Sequence, residues 1–192
     1  SNAGMFNAGR RALMQGDRPA QEQPNTGETY AFIVDVAGQD EASMNLEDSA
    51  VGARNPGRDQ LTLDIVSIDL SQLATLQAPI YRVVKRMAWT GENHISIFGK
   101  INAMWSVWKP QQLVIDATGV GEGLWAMFDH AHPGRVVPVK FSQQVKSEIG
   151  YGFLAIINTG RFRDCCPSPE VDKQYTACTS EILTGPSKIM RW

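Results

Sequence analysis

Two short apolar runs that each stop at an aspartate constrain this chain more than any other feature. They are Tyr30-Ala-Phe-Ile-Val-Asp35 and Leu113-Val-Ile-Asp116. Continuous rather than alternating, and rich in Val and Ile, they fit strands covered on both faces, as in a parallel or mixed sheet. A carboxylate at the end of such a strand emerges at the crevice where open α/β sheets bind ligands. It is costly to keep ionised there unless a positive charge compensates it. Two such acids on neighbouring strands repel each other, and a divalent cation relieves both. Mg²⁺ favours hard carboxylate oxygens and keeps waters for a phosphate substrate. The competing reading is that each aspartate caps a helix or accepts a loop amide, and a helix close behind Asp116 makes that alternative stronger there.

The rest of the pattern extends this into an α/β domain. Leu61–Leu70 and Ile80–Trp89 read as strands, with Gln77-Ala78-Pro79 between them and Thr90-Gly91 closing the second. The period then changes: Phe98, Ile101, Trp105 and Trp108 mark a helix that stops at Pro110. After the 113–116 strand, Leu124, Met127, Phe128 and Ala131 mark a helix halted by Pro133-Gly134. Val136–Phe141 is a further strand, and Val145, Ile149, Phe153 and Ile156 describe a helix ending near Gly160. The last helix has Ser168 as N-cap, Pro169 in its first turn, a face of Val171, Tyr175, Cys178 and Ile182, and Gly185 at its exit. Lys188–Trp192 starts a further element. The expected architecture is a mixed sheet, with a three-stranded antiparallel meander followed by alternating helices and strands and helices on both faces. Residues 4–29 are polar with little periodicity and read as a flexible lead-in, Ser1-Asn2-Ala3 as the scar of tag removal. Residues 37–60 form a long irregular connection of the kind that is usually functional.

Composition excludes several classes. With 192 residues there is room for one sizeable domain. A formal net charge of −2 gives no basic signature for nucleic acid. The distribution is uneven, 10 basic against 15 acidic residues in 1–134 and 8 against 5 in 135–192, so a DNA contact would fall in the second half. Cys165, Cys166 and Cys178 have neither zinc nor disulfide spacing and read as reduced thiols of a cytoplasmic protein. No apolar run approaches the ~20 residues that cross a bilayer, and no membrane partner is expected.

Asp116-Ala-Thr-Gly-Val-Gly-Glu-Gly123 is a Gly-rich strand-to-helix turn. Its spacing is not that of a dinucleotide loop, and it lacks the Lys-Ser/Thr of a P-loop, so no ATPase motor resides here. Ser43, Ser142 and Ser147 have no His/Asp partners at a recognisable spacing, and His130-x-His132 lacks further ligands and reads as surface.

Four segments in order carry a family resemblance. They are Tyr30–Val36; Tyr81–Trp89 with Gly91 and His94; Leu113–Leu124; and Val139–Phe141 with Lys146-Ser-Glu, Phe153 and Thr159-Gly-Arg161. Together they resemble the C-terminal nuclease domain of phage and prophage large terminases, over roughly residues 30–192. The resemblance implies a ribonuclease H-like fold, which follows a packaging ATPase in the whole protein and cuts concatemeric DNA. It implies that Asp35 and Asp116 are catalytic and hold two Mg²⁺ or Mn²⁺ ions, with Asp40 and Glu41 as candidates to assist. The family's third metal-binding acid, sometimes a His, follows the last strand. None of Asp164, Asp172 or Glu181 sits at the matching position, so it is expected after Trp192, and this C-terminally truncated domain is expected to cut DNA weakly. Lys140, Lys146 and Arg161 are candidates for phosphate contact, Lys146 foremost because the resemblance includes it; Arg163 is a further one. Expected partners are double-stranded DNA and, through the full-length protein, the portal and small terminase, in the host cytoplasm, with the isolated domain a monomer. Rival readings are a resolvase- or integrase-like nuclease, a non-catalytic module docking on DNA or portal, and an actin-like nucleotide-binding domain. The last would need a second, duplicated half.

Overall fold

A computed structural model describes residues 3–36 and 60–192. The chain begins with β1 (Ala3–Gly4) and α1 (Ala8–Leu13), then enters β2 (Thr29–Val36), whose Tyr30, Phe32, Val34 and Val36 are buried. The long strands β3 (Gln60–Asp69) and β4 (Ile80–Thr90) are separated by the single turn of α2 (Leu73–Leu76); β3 pairs antiparallel with β2 on one side and with β4 on the other. This is the expected meander.

Next comes α3 (His94–Trp108), capped by Asn93, whose side chain accepts the Ser96 amide, and ended by Lys109 in the left-handed region. Then β5 (Gln112–Asp116), α4 (Gly121–Ala131) and β6 (Val136–Val139) alternate, with β5 lying parallel to both β2 and β6. Finally α5 (Gln143–Asn158), β7 (Phe162–Asp164), α6 (Pro169–Ala177), β8 (Thr179–Ile182) and β9 (Met190–Arg191) complete the described chain.

The main sheet has the order β6-β5-β2-β3-β4-β7. One face buries Phe32, Leu63, Ile65, Leu113 and Ile115 against α3 and α4 through Ile97, Ile101, Leu124 and Phe128. The other face packs Val66, Val83 and Phe162 against α5 through Leu154 and Ile157, and against Met5, Phe6 and Met14, which flank α1. The expected mixed sheet with helices on both faces is therefore present. No helix among the described residues is long and apolar enough to cross a membrane.

Besides α2 and β7, short elements without a sequence pattern of their own, three segments differ from expectation. Residues 4–29 are not a flexible lead-in along their length: Met5, Phe6 and Met14 are buried, and Phe6 meets Phe153 and Tyr175 edge-on. Three apolar side chains are too sparse to show a period, and α5 supplies their burial from far along the sequence. The last helix stops at Ala177 rather than running to Gly185. The residues after it join a three-stranded sheet of order β1-β8-β9, so strand pairing takes Ile182 out of the helix. Lys188–Trp192 belongs to that sheet: Met190 is buried, and the Trp192 indole donates to the Lys146 carbonyl at 2.8 Å.

Candidate metal centre

Alternation along β2 decides which way Asp35 points. Phe32, Val34 and Val36 enter the α3/α4 core, so Ile33 and Asp35 face the opposite side. The same logic on β5 sends Leu113 and Ile115 into that core, with Val114 and Asp116 facing away. The parallel ladder aligns Val34 with Ile115, so the next residue of each strand is an aspartate. Asp35 and Asp116 thus stand side by side on one face, at the carboxyl ends of adjacent parallel strands. The Asp35 side chain reaches solvent, yet the protein packed around its carboxyl pushes it above its ordinary value of 3.8, first by partial desolvation, then by the charges of Asp116 and Asp64. Nothing among the described residues pulls it back.

The turn after Asp116 explains its glycines. Asp116 Oδ1 accepts the Thr118 amide at 2.8 Å, and the Ala117 amide bonds the Val139 carbonyl at 2.9 Å. Gly119 has φ +58°, and a Cβ at Gly121 would lie 2.0 Å from the Asp116 carbonyl oxygen. The Gly-rich stretch is therefore a device for folding α4 tightly onto the end of β5. The alternative role foreseen for Asp116, accepting a loop amide, is real for one of its oxygens; the other makes no hydrogen bond to a described residue.

A second acidic group lies beside the first. Asp64 sits opposite both Ile33 and Arg86 in the ladders. The Arg86 guanidinium donates to both Asp64 oxygens (2.8 and 3.2 Å), to Asp164 Oδ2 (3.0 Å) and to the Cys166 carbonyl (3.1 Å). Burial pushes the Asp64 carboxyl up against the opposing pull of Arg86, and the Arg86 guanidinium is held charged by the two carboxylates around it. Sequence reading missed Asp64. Its signal, an acid at an inward position of Leu61–Leu70, acquires meaning only once the register with Arg86 is known.

The remaining candidates separate by position. Lys140 and Lys146 follow β6 at the same end of the sheet as Asp116. Lys140 lies 3.6 Å from Glu122, and the Lys146 ammonium rests 5.9 Å from the Phe141 ring centroid. Arg161 is at the other end, where it donates to the Pro79 carbonyl at 3.2 Å beside the start of β4. The fold thus does not bring Arg161 to the aspartates; its tie to Pro79 secures the turn into β7. Arg163 donates to the Gln15 carbonyl at 3.3 Å. His132 stacks on Trp105 with centroids 3.8 Å apart and bonds Asn102, so it is packed in the structure rather than free on the surface. Asp40 and Glu41 lie outside the described residues. Among the described residues, no group of three or more His, Cys, Asp or Glu side chains is placed to hold a metal ion. The two aspartates nevertheless fit a divalent ion: both offer hard oxygen donors, and Asp35 lacks a cationic partner among the described residues.

Residues 72–186 match the family described as the terminase RNaseH-like domain. Asp116 falls inside that match and Asp35 precedes it. No curated protein matches. Among solved structures, the large terminase nuclease from thermophilic phage G20c with bound magnesium is similar at 12% identity and TM-score 0.60, over 98% of this chain and 86% of that one. The nuclease domain of the Thermus phage P74-26 large terminase is similar at 12% identity and TM-score 0.58, over 98% and 85%. The bacteriophage HK97 large terminase is similar at 8% identity and TM-score 0.64, over all of this chain and 39% of that one. At such identities these likenesses speak for the fold, and the family match covers more than half of the sequence: the chain belongs to the terminase RNaseH-like domain family.

Proposed function

We propose that this chain is the DNA-cutting domain of a phage or prophage large terminase, and that Asp35 and Asp116 hold the divalent ions it needs. The observation that carries this reading is the pair of aspartates side by side at parallel strand ends, with no compensating cation among the described residues. The G20c nuclease has been crystallised with magnesium, zinc and cobalt, ions that suit a carboxylate site. Two Mg²⁺ or Mn²⁺ ions, when bound, activate a water for attack on a phosphodiester and stabilise the leaving oxygen.

The chain's own groups set the conditions. Asp35 and Asp116 present oxygens from rigid strand ends rather than from loops. Asp116 keeps one oxygen on the Thr118 amide, which fixes its orientation. Lys140 and Lys146, on the same rim, meet the phosphates of double-stranded DNA. Asp40 is a further candidate ligand. Within the full-length protein the partners are the portal and the small terminase, in the host cytoplasm; the domain by itself is a monomer.

Isothermal titration with MnCl₂, run beside a plasmid-nicking assay, tests the reading. Weak but saturable Mn²⁺ binding and slow Mn²⁺-dependent nicking are expected, both lost in Asp35→Asn and in Asp116→Asn. Equal Mn²⁺ binding by parent and variants would refute it, and DNA binding without any metal response would point to a docking module.

A further inference from the structure

Thr118 occupies a place that neither the sequence motif nor the family match explains. Its amide donates to Asp116 Oδ1 at 2.8 Å, while its Oγ1 accepts the Phe141 amide at 3.2 Å. The first bond lies within the β5–α4 turn. The second crosses to the connection between β6 and α5, the segment that carries Lys140 and leads into Lys146. The neighbouring Ala117–Val139 bond ends the β5–β6 ladder, so beyond it the Thr118 hydroxyl continues the link by a side chain where strand pairing has stopped. The turn itself has little slack, since any Cβ at Gly121 would collide with the Asp116 carbonyl oxygen.

We infer that Thr118 is a positioning residue. Its hydroxyl bolts the turn that orients the Asp116 carboxylate to the segment bearing the phosphate-facing lysines, so that metal ligand and DNA rim keep a fixed spacing. The inference rests on the reading of Asp116 as a metal ligand. It differs from that reading because Thr118 touches no ion: its hydroxyl holds the turn whose amide bonds the ligand, one step further out than the direct ligand partners whose loss typically lowers metal affinity about 10–100-fold.

The test compares Thr118→Val, which keeps the shape and removes the acceptor, with Thr118→Ser, which keeps the hydroxyl. Three quantities are measured on the whole chain: Mn²⁺ affinity by titration with MnCl₂, hydrogen exchange at the Phe141 amide, and the thermal midpoint. Thr118→Val, which keeps the amide bond to Asp116, is expected to bind Mn²⁺ about threefold more weakly, below the ~10-fold that loss of a direct ligand partner costs, and to exchange the Phe141 amide faster, with the midpoint little changed. Thr118→Ser is expected to behave as the parent. Mn²⁺ binding by Thr118→Val equal to that of the parent would overturn the inference and leave the nuclease reading standing. An affinity loss that serine does not restore, or one that follows the thermal midpoint, would overturn it as well. Failure of the parent chain to bind Mn²⁺ would remove the metal-site reading and this inference with it, a result distinct from the other two.

Discussion

One face of the sheet carries two groups of carboxylates with opposite fates. Across β3, β4 and β7, Asp64 and Asp164 share the Arg86 guanidinium, and all three side chains are largely withdrawn from water. Across β2 and β5, Asp35 and Asp116 stand together without a cation among the described residues. Both groups are acids on strand positions of one face, and the register makes the difference. It sets Arg86 directly opposite Asp64, whereas Asp35 lies opposite Thr62 on β3 and beside Asp116 on β5, so no basic residue flanks Asp35 on that face. An internally matched charge cluster is a piece of the scaffold. An unmatched one, built from rigid strand ends, is a place for an external cation.

Breaking the matched cluster should have the largest effect. Arg86→Met leaves two withdrawn carboxylates unpaired and is expected to destabilise the fold by about 3–5 kcal/mol, read from urea denaturation at neutral pH. A loss below about 1 kcal/mol would mean that water already compensates these acids.

Converting the unmatched cluster into a matched one should come next. Ile33 is exposed beside Asp35 on the same face, and Ile33→Lys supplies the missing charge. Mn²⁺ affinity is expected to fall about tenfold, as one unit charge near a divalent ion in a mostly aqueous dielectric demands. Unchanged affinity would place the ion elsewhere.

The smallest effect sharpens the comparison through pH. Because the folded chain raises the Asp35 carboxyl above 3.8, the folded state holds that proton more tightly than the unfolded state does. Ionisation of Asp35 therefore works against folding, and stability from this group is lost as pH rises above 3.8 through the raised value. In metal-free buffer Asp35→Asn should be the more stable protein at pH 7, with the gap closing towards pH 4. Urea midpoints across that range measure it; a gap that is constant with pH, or of opposite sign, would show that Asp35 is already compensated.

The sequence displayed the strands and helices whose periods are strong. Ser168-Pro169 fixed the start of α6 because capping is a local bond, and the Gly-rich turn after Asp116 was visible because left-handed backbone and close approach both select glycine. Its purpose was not visible, since the colliding atom is the Asp116 carbonyl oxygen and only the folded turn brings it near. Met5, Phe6 and Met14 gave no pattern of their own; they are buried in a cluster with α5, Tyr175 and Cys178. Ile182 kept a helical spacing with Cys178, yet pairing with β9 overrode it. Asp64 was hidden in a strand that reads as apolar, because its significance is a cross-strand relation to Arg86.

By itself the sequence determined the strongly periodic strands and helices, the core-seeking side chains along them, and that two aspartates end two buried strands. These are consequences of local periodicity and of the cost of burying charge. Tertiary structure alone decided the register that sets Asp35 beside Asp116, gives Arg86 to Asp64 and Asp164, and sends Arg161 to the far end of the sheet. Register lies beyond local reading because it emerges from pairing segments distant in the chain, where a shift of one residue would turn every side chain to the opposite face.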